Sequence, residues 1–259
     1  MRQSTKQAVT ECPGCGGTEI ETNAYDYASF CANCGLVVTA AGEPSIPDVI
    51  SSKMTDETTQ EDSFREIYPA TNDTENRLLD AFGTIEDLAD CLPIPTETRI
   101  EAADIFLAAF RDGTTDSRER TCFMTACVRL ASVSTSSPIP TDRLIDAVDE
   151  IYSKQFHRHR RVIASETNMQ MSLPTPAEYV WFLEATDTIT DTADSIRQLL
   201  DSAVETKGLV GKDPAGIAAA GAYVVDDSLK QATAADTMGV SVETIRRRSK
   251  VLREVLADD

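Results

Sequence analysis

The sequence has one tryptophan, two histidines and seven lysines, and aromatic residues make up only 6% of its 259 positions. No uninterrupted apolar run approaches the roughly eighteen residues that a membrane span requires, and the opening MRQSTKQAVTEC carries no apolar signal region, so a soluble, cytoplasmic protein is expected. A glycine loop for phosphate, a dinucleotide fingerprint and a convincing nucleophile-base pair are all missing, so an enzyme is not expected. The seven cysteines are an odd count with four in paired knuckles, which fits metal ligation in a reducing compartment better than a disulfide framework.

Positive charge is also short: the net charge is −19. Taken as a sum, this argues against nucleic acid, whose electrostatic binding comes from Lys and Arg displacing counterions from phosphate. However, seventeen arginines against seven lysines, with twenty-four aspartates and many Thr and Ala, resemble the balance of proteins adapted to a very salty cytoplasm. Acidity there is a solubility property of the whole surface, so local basic patches decide the matter.

Three regions follow along the chain. Residues 1–39 hold the knuckles and alternating segments EIETN, YASFC and LVVT, which predict short strands. Residues 40–74 are polar, acidic and punctuated by proline, and are predicted to be a linker. From there the pattern is helical, in two copies of a five-helix unit over 75–171 and 172–259. Helices are predicted at about 75–91, 96–111, 117–133, 141–150 and 153–166, then at about 176–187, 191–207, 214–227, 230–237 and 241–256. Thr175 and Asp213 each precede a proline at a first helical position, a good start signal. The small-residue segments TCFMTACVRLAS and AGIAAAGAYVV predict a central helix in each copy. Cys91, Cys122 and Cys127 read as small core residues, and Trp181 and Phe182 as core or interface residues.

The pattern C-x2-C-x15-C-x2-C sets Cys12, Cys15, Cys31 and Cys34 as four thiolates, the number and softness for a closed tetrahedral Zn2+ site, with iron or redox chemistry as other uses. Gly16 and Gly35 directly follow the knuckles. A closed set leaves no position for water or substrate, so the zinc is expected to be structural and to supply folding free energy to a unit of about thirty residues.

The stretch KQATAADTMGVSVETIRRRSKVLREVL, residues 230–256, has the form of a helix-turn-helix, with Gly239 at the turn and Ser241 capping the second helix. Val242, Ile245, Ser249, Leu252 and Leu256 predict an inward stripe. Arg246, Arg247, Arg248, Lys250 and Arg253 place five basic residues within eight positions. A solvated terminal helix whose arginines favour the negative end of its dipole is the plain alternative to a nucleic-acid contact. The first copy has KQFHRHRRV at the corresponding place, with Lys154, Arg158, Arg160 and Arg161 as further candidate DNA contacts. His157 and His159, two apart, point to different sides of a helix and read as surface or phosphate-contacting groups rather than metal ligands.

The order of ribbon, linker and two helical repeats resembles archaeal transcription factor B, the counterpart of the eukaryotic factor IIB. The resemblance rests on CPGCGGTEI and CANCGLVV in the ribbon, and on PTPAEYVWFL, ETKGLVGKDPAGIAAAGAYV and MGVSVETIRRRSK in the second repeat. LPIPTETRIEAADIF and the helix after it match more loosely. Two features depart from the family: residues 40–74 lack its basic, aromatic pattern, and Cys122, Phe123 and Met124 stand where it has small residues. The resemblance implies a mainly α fold, a zinc ribbon ahead of two cyclin-like repeats, and a non-enzymatic, nucleoid-associated adaptor. Its ribbon would dock on RNA polymerase, and its repeats would clamp promoter DNA bent by the TATA-binding protein. By motif position, Ser241, Thr244, Arg246, Arg247 and Arg248 would lie nearest DNA. Four neutralised phosphates would give a salt slope of about −3.6. A regulator or competitor on the same scaffold, which binds polymerase or the TATA-binding protein without supporting initiation, is the alternative.

Overall fold

The computed structural model describes residues 11–12, 16–22, 29–33, 37–38, 64, 73–111, 114–115, 119–148, 151–167, 169, 173–203, 206 and 208–258. It is mainly helical and has two compact units. Each of the ten helices among these residues coincides in type with a helix predicted from periodicity.

The first unit contains a small sheet of β1 (Ile20–Thr22), β2 (Ser29–Cys31) and β3 (Val37–Val38), in that order and antiparallel throughout. It also contains most of α1 (Asp73–Cys91), then α2 (Thr96–Arg111), the first half of α3 (Arg120–Ser134) and α5 (Ser153–Glu166). Its core is a chain of rings. Phe64 packs on Phe82 at 5.1 Å between centroids, Phe82 meets Phe106 edge-on at 6.2 Å, Phe106 meets Phe123 at 6.0 Å, and Phe123 lies 5.4 Å from the His159 ring. Offset and edge-on geometries satisfy the aromatic quadrupoles while burying large areas.

Phe64 lies inside the segment predicted as a linker, yet it is helical and fully buried, and its N–H donates to the Glu86 carboxylate. His159 is 4% exposed, so it is a core residue and not a surface or phosphate-contacting one. It follows Phe156 by three and precedes Ile163 by four, which puts all three on the buried side of α5. Cys122 and Cys127 are buried as expected, and burial raises the Cys122 thiol to about 11. Cys91 is exposed instead, because it is the last residue of α1 and its neighbour Leu92 takes the inward position.

The second unit holds the rest of α3, α4 (Thr141–Asp146), a 3₁₀ turn at Ala177–Tyr179 leading into α6 (Val180–Ala185), then α7 (Ala193–Ser202), α8 (Pro214–Val225), α9 (Gln231–Met238) and α10 (Val242–Asp258). The first-turn signals act as read. Thr175 accepts from the Glu178 N–H at 3.3 Å while the Glu178 carboxylate accepts from the Thr175 N–H, a reciprocal cap. The Asp213 carboxylate accepts from the Gly216 N–H at 2.9 Å, with Pro214 opening α8. This apolar helix is the centre of the unit and packs against α7, α9 and α10.

α4 belongs here because of two links. Buried Arg129 donates to the Tyr179 hydroxyl at 2.9 Å and to the Thr141 hydroxyl at 3.1 Å. The turn after α9 sits directly against Asp142 and Arg143. Trp181 is half-buried, and its Nε1–H donates to the Pro138 carbonyl at 3.2 Å.

Candidate nucleic-acid interface and metal-ligand set

The second unit ends in two helices joined by a closed turn. The Val240 N–H reaches back to the Ala235 carbonyl at 3.0 Å and the Gly239 N–H to the Asp236 carbonyl at 3.3 Å, the paired closure of a helix that ends on a left-handed residue. Gly239 supplies that residue, at φ +65°, and a side chain there would press within 3.1 Å of Asp142 Cβ. Both conformation and space therefore call for glycine. Ser241 then starts α10: its hydroxyl accepts from the Thr244 N–H at 3.1 Å and lies 2.9 Å from the Thr244 hydroxyl.

On α10, Ile245, Ser249 and Leu252 are buried as predicted. Val242 and Leu256, predicted to join them, are 45% and 48% exposed. They lie at the ends of a helix of 17 residues that packs on α8, which has 12. At about 1.5 Å per residue, α10 outruns its support by about 7 Å.

The basic residues divide by angle. At about 100° per residue, Arg248 lies about 60° from Ile245 and about 40° from Leu252, on the shoulder of the buried stripe. It turns inward. Its side chain is 15% exposed, and its guanidinium donates to the Asp213 carbonyl at 2.7 Å and stands 3.7 Å from the Asp213 carboxylate. Burial lowers its pKa, which the Asp213 carboxylate partly offsets. The guanidinium occupies the space where Gly216 would otherwise carry a Cβ. Arg248, expected beside DNA, is thus the bolt between α10 and the start of α8.

Arg246, Arg247 and Lys250 are exposed. Arg246 pairs with the Glu243 carboxylate at 2.9 Å and Arg247 with its other oxygen at 2.6 Å. These bonds, that from Arg246 first, hold the Glu243 carboxyl below its ordinary pKa. Arg253 lies over the Tyr223 ring, 5.3 Å from its centroid. The motif reading missed Glu243, although its i+3 and i+4 spacing to the two arginines was visible. Asp213 had no such signal, being 35 residues from Arg248.

Lys154, Arg158, Arg160 and Arg161 lie on α5 in the other unit. Lys154, Arg158 and Arg161 are exposed and Arg160 is half-buried, with Arg161 Nε donating to the His157 carbonyl at 3.3 Å.

For the predicted metal site, Cys12 and Cys31 are described, and Cys15 and Cys34 lie outside the described residues. The Gly16 N–H donates to the Cys12 carbonyl at 2.9 Å and the Cys12 N–H to the Gly17 carbonyl at 2.8 Å, with Gly16 at φ +68°. Cys31 stands opposite Ile20 across β1 and β2. Cys12 and Cys31 are buried in one cluster that Ile20 packs against. Two thiols, one on a tight glycine turn and one on β2, thus share a buried cluster, and thiolate is the donor type that a structural zinc takes.

No protein-family model matches the chain. It is 24% identical to a protein of Methanopyrus kandleri named transcription initiation factor IIB, over 98% of this chain and 96% of the relative. It is 25% identical to transcription initiation factor IIB 2 of Halobacterium salinarum, over 95% and 90% of the two chains. It is also 24% identical to factor IIB 6 of the same organism, over 97% and 93%. Among the described residues, no helix is long and apolar enough to cross a membrane.

Proposed function

We infer that the chain is a divergent member of the archaeal transcription initiation factor IIB family, and that it bridges RNA polymerase and a promoter carrying the TATA-binding protein. It is an initiation factor and not an enzyme, as its relatives' names indicate along nearly the whole chain. The reading of a regulator that does not support initiation is not favoured by them. Polymerase, the TATA-binding protein and promoter DNA are the partners we propose, with work at the nucleoid in the cytoplasm.

One observation supports the DNA-contacting part: α10 presents Arg246, Arg247 and Lys250 outward while Arg248 holds the helix to α8. A helix so fixed offers its exposed cations to phosphate or to guanine edges, with Ser241 and Thr244 at its start. The cations of α5, Lys154, Arg158, Arg160 and Arg161, are proposed as backbone contacts. Each helical repeat is read as cyclin-like, and the N-terminal ribbon as the polymerase-docking element. Cys12, Cys15, Cys31 and Cys34 would hold one structural zinc, which supplies folding free energy to the ribbon when bound. Cys12 and Cys31 already share a buried cluster on the ribbon, and that supports the assignment.

The test is a promoter footprint with polymerase and the TATA-binding protein present. Arg246→Ala combined with Arg247→Ala is expected to lose protection upstream of the TATA element, with at least a tenfold drop in complex formation. Protection unchanged in the double variant would overturn the recognition-helix assignment. A stable promoter complex that yields no transcript with the wild-type protein would restore the regulator.

A further inference from the structure

The exposed face of α10 is not free cation. At about 100° per residue, Arg253, Arg246, Lys250, Glu243, Glu254 and Arg247 fall within one arc of about 120°, with Glu243 beside the arginine pair in the first turns and Glu254 about three turns further along. Glu243 engages both flanking arginines, at 2.9 and 2.6 Å, and its own side chain is 44% exposed. Arg248 is turned inward and Arg253 is drawn over Tyr223, so Arg246, Arg247 and Lys250 carry most of the positive charge this face can offer. Glu243 cancels one of their three charges.

We propose that Glu243 is a gate on the DNA-binding face, a positioning residue that occupies Arg246 and Arg247 in the free protein so that phosphate must displace it to bind. The proposal rests on the assignment of α10 as a DNA-contacting helix. Duplex of arbitrary sequence is held mainly through phosphate, which competes with a carboxylate already in hydrogen-bond contact and loses the counterion gain of one charge. A promoter held by protein partners presents the helix with bases and phosphates together, and that combination displaces the carboxylate. The gate therefore lowers affinity for DNA at large more than for DNA in the assembly. The pairs with Glu243 also orient the two arginine forks before DNA arrives.

Glu243→Gln keeps an acceptor oxygen and the length of the side chain but removes the charge. The measurement is anisotropy of a labelled 30-base-pair duplex of arbitrary sequence with the full-length chain across a potassium chloride series, without other factors. Each phosphate neutralised adds about 0.9 to the slope of log affinity against log salt. Glu243→Gln is expected to steepen that slope by about 0.9, so that a fourfold rise in salt costs the variant about 3.5-fold more affinity than the wild type. It is also expected to bind generic duplex more tightly at the low-salt end. With Arg246 and Arg247 already changed to alanine, the same substitution is expected to steepen the slope by less than half as much.

An unchanged slope in a variant whose parent binds duplex would overturn the gate and leave the DNA assignment standing. So would full steepening in the arginine-free background, because the effect would then be long-range charge alone. Weaker binding by Glu243→Gln would make Glu243 a direct DNA contact and overturn the gate likewise. A wild-type chain that binds no duplex at any salt, together with a promoter footprint insensitive to the arginines, would remove the DNA assignment and the gate with it.

Discussion

Alanine at Gly216 tests whether Arg248 is the bolt that fixes α10. The new Cβ would fall on the Arg248 guanidinium and come within 3.0 Å of Thr244 Cγ2. Overpacking of this kind costs about 1–3 kcal/mol, and displacing Arg248 also sacrifices its charge-assisted bond to the Asp213 carbonyl. Alanine returns up to about 1 kcal/mol through helix propensity, which leaves an expected net loss of about 2 kcal/mol. Arg248→Ala alone forfeits the bond, worth about 1.5–3 kcal/mol gross, but also relieves a buried guanidinium of its desolvation. About 2 kcal/mol is expected there as well. In the double variant the collision with the guanidinium is gone, and the close approach to Thr244 Cγ2 that remains offsets the gain in helix propensity, so Gly216→Ala should be close to neutral on top of Arg248→Ala. The pair should lose about 2 kcal/mol where the singles sum to about 4 kcal/mol, a coupling of about 2 kcal/mol.

The assay is urea unfolding followed by Trp181, the chain's single tryptophan, which reports the second unit through its bond to Pro138. With a slope of about 2 kcal/mol per molar, each single variant should shift the midpoint down by about 1 M, and the double variant by the same amount. Losses that add to within about 0.5 kcal/mol would show that the Cβ position and the guanidinium do not compete, and would refute the bolt.

Two further outcomes are expected. Phe64→Ala removes the first ring of the aromatic chain and should cost about 3–5 kcal/mol, seen as faster amide exchange in α1 and a lower denaturation midpoint by circular dichroism; wild-type exchange would show that Phe64 is not part of that core. The proposed zinc predicts one metal ion per wild-type chain by native mass spectrometry and none in Cys12→Ser, with the helical circular dichroism signal persisting; retained stoichiometric zinc would exclude Cys12 as a ligand.

The helices were legible because periodicity, capping residues and proline at first positions agree with each other, and Asp213, Pro214 and Gly239 do in the fold what their chemistry implies. Angle along α10 could also have separated Arg248 from Arg246, since Arg248 lies beside the buried stripe, but a run of three arginines reads as one patch when charge alone is counted. The Asp213 partner was not legible, because no local spacing links residues 35 apart. His159 deceived for a related reason: a basic flank of KQFHRHRRV suggests surface, whereas the positions of Phe156 and Ile163 decide burial. Phe64 stood in a polar, acidic surrounding with no period, and only the tertiary packing of Phe82 and Glu86 gives it a place.

Phe64 also makes the first unit's core a matter of long-range closure: its ring meets Phe82 and its N–H meets the Glu86 carboxylate across 18 and 22 positions of sequence, so the entropy of bringing those positions together must be met before either contact stabilises the fold.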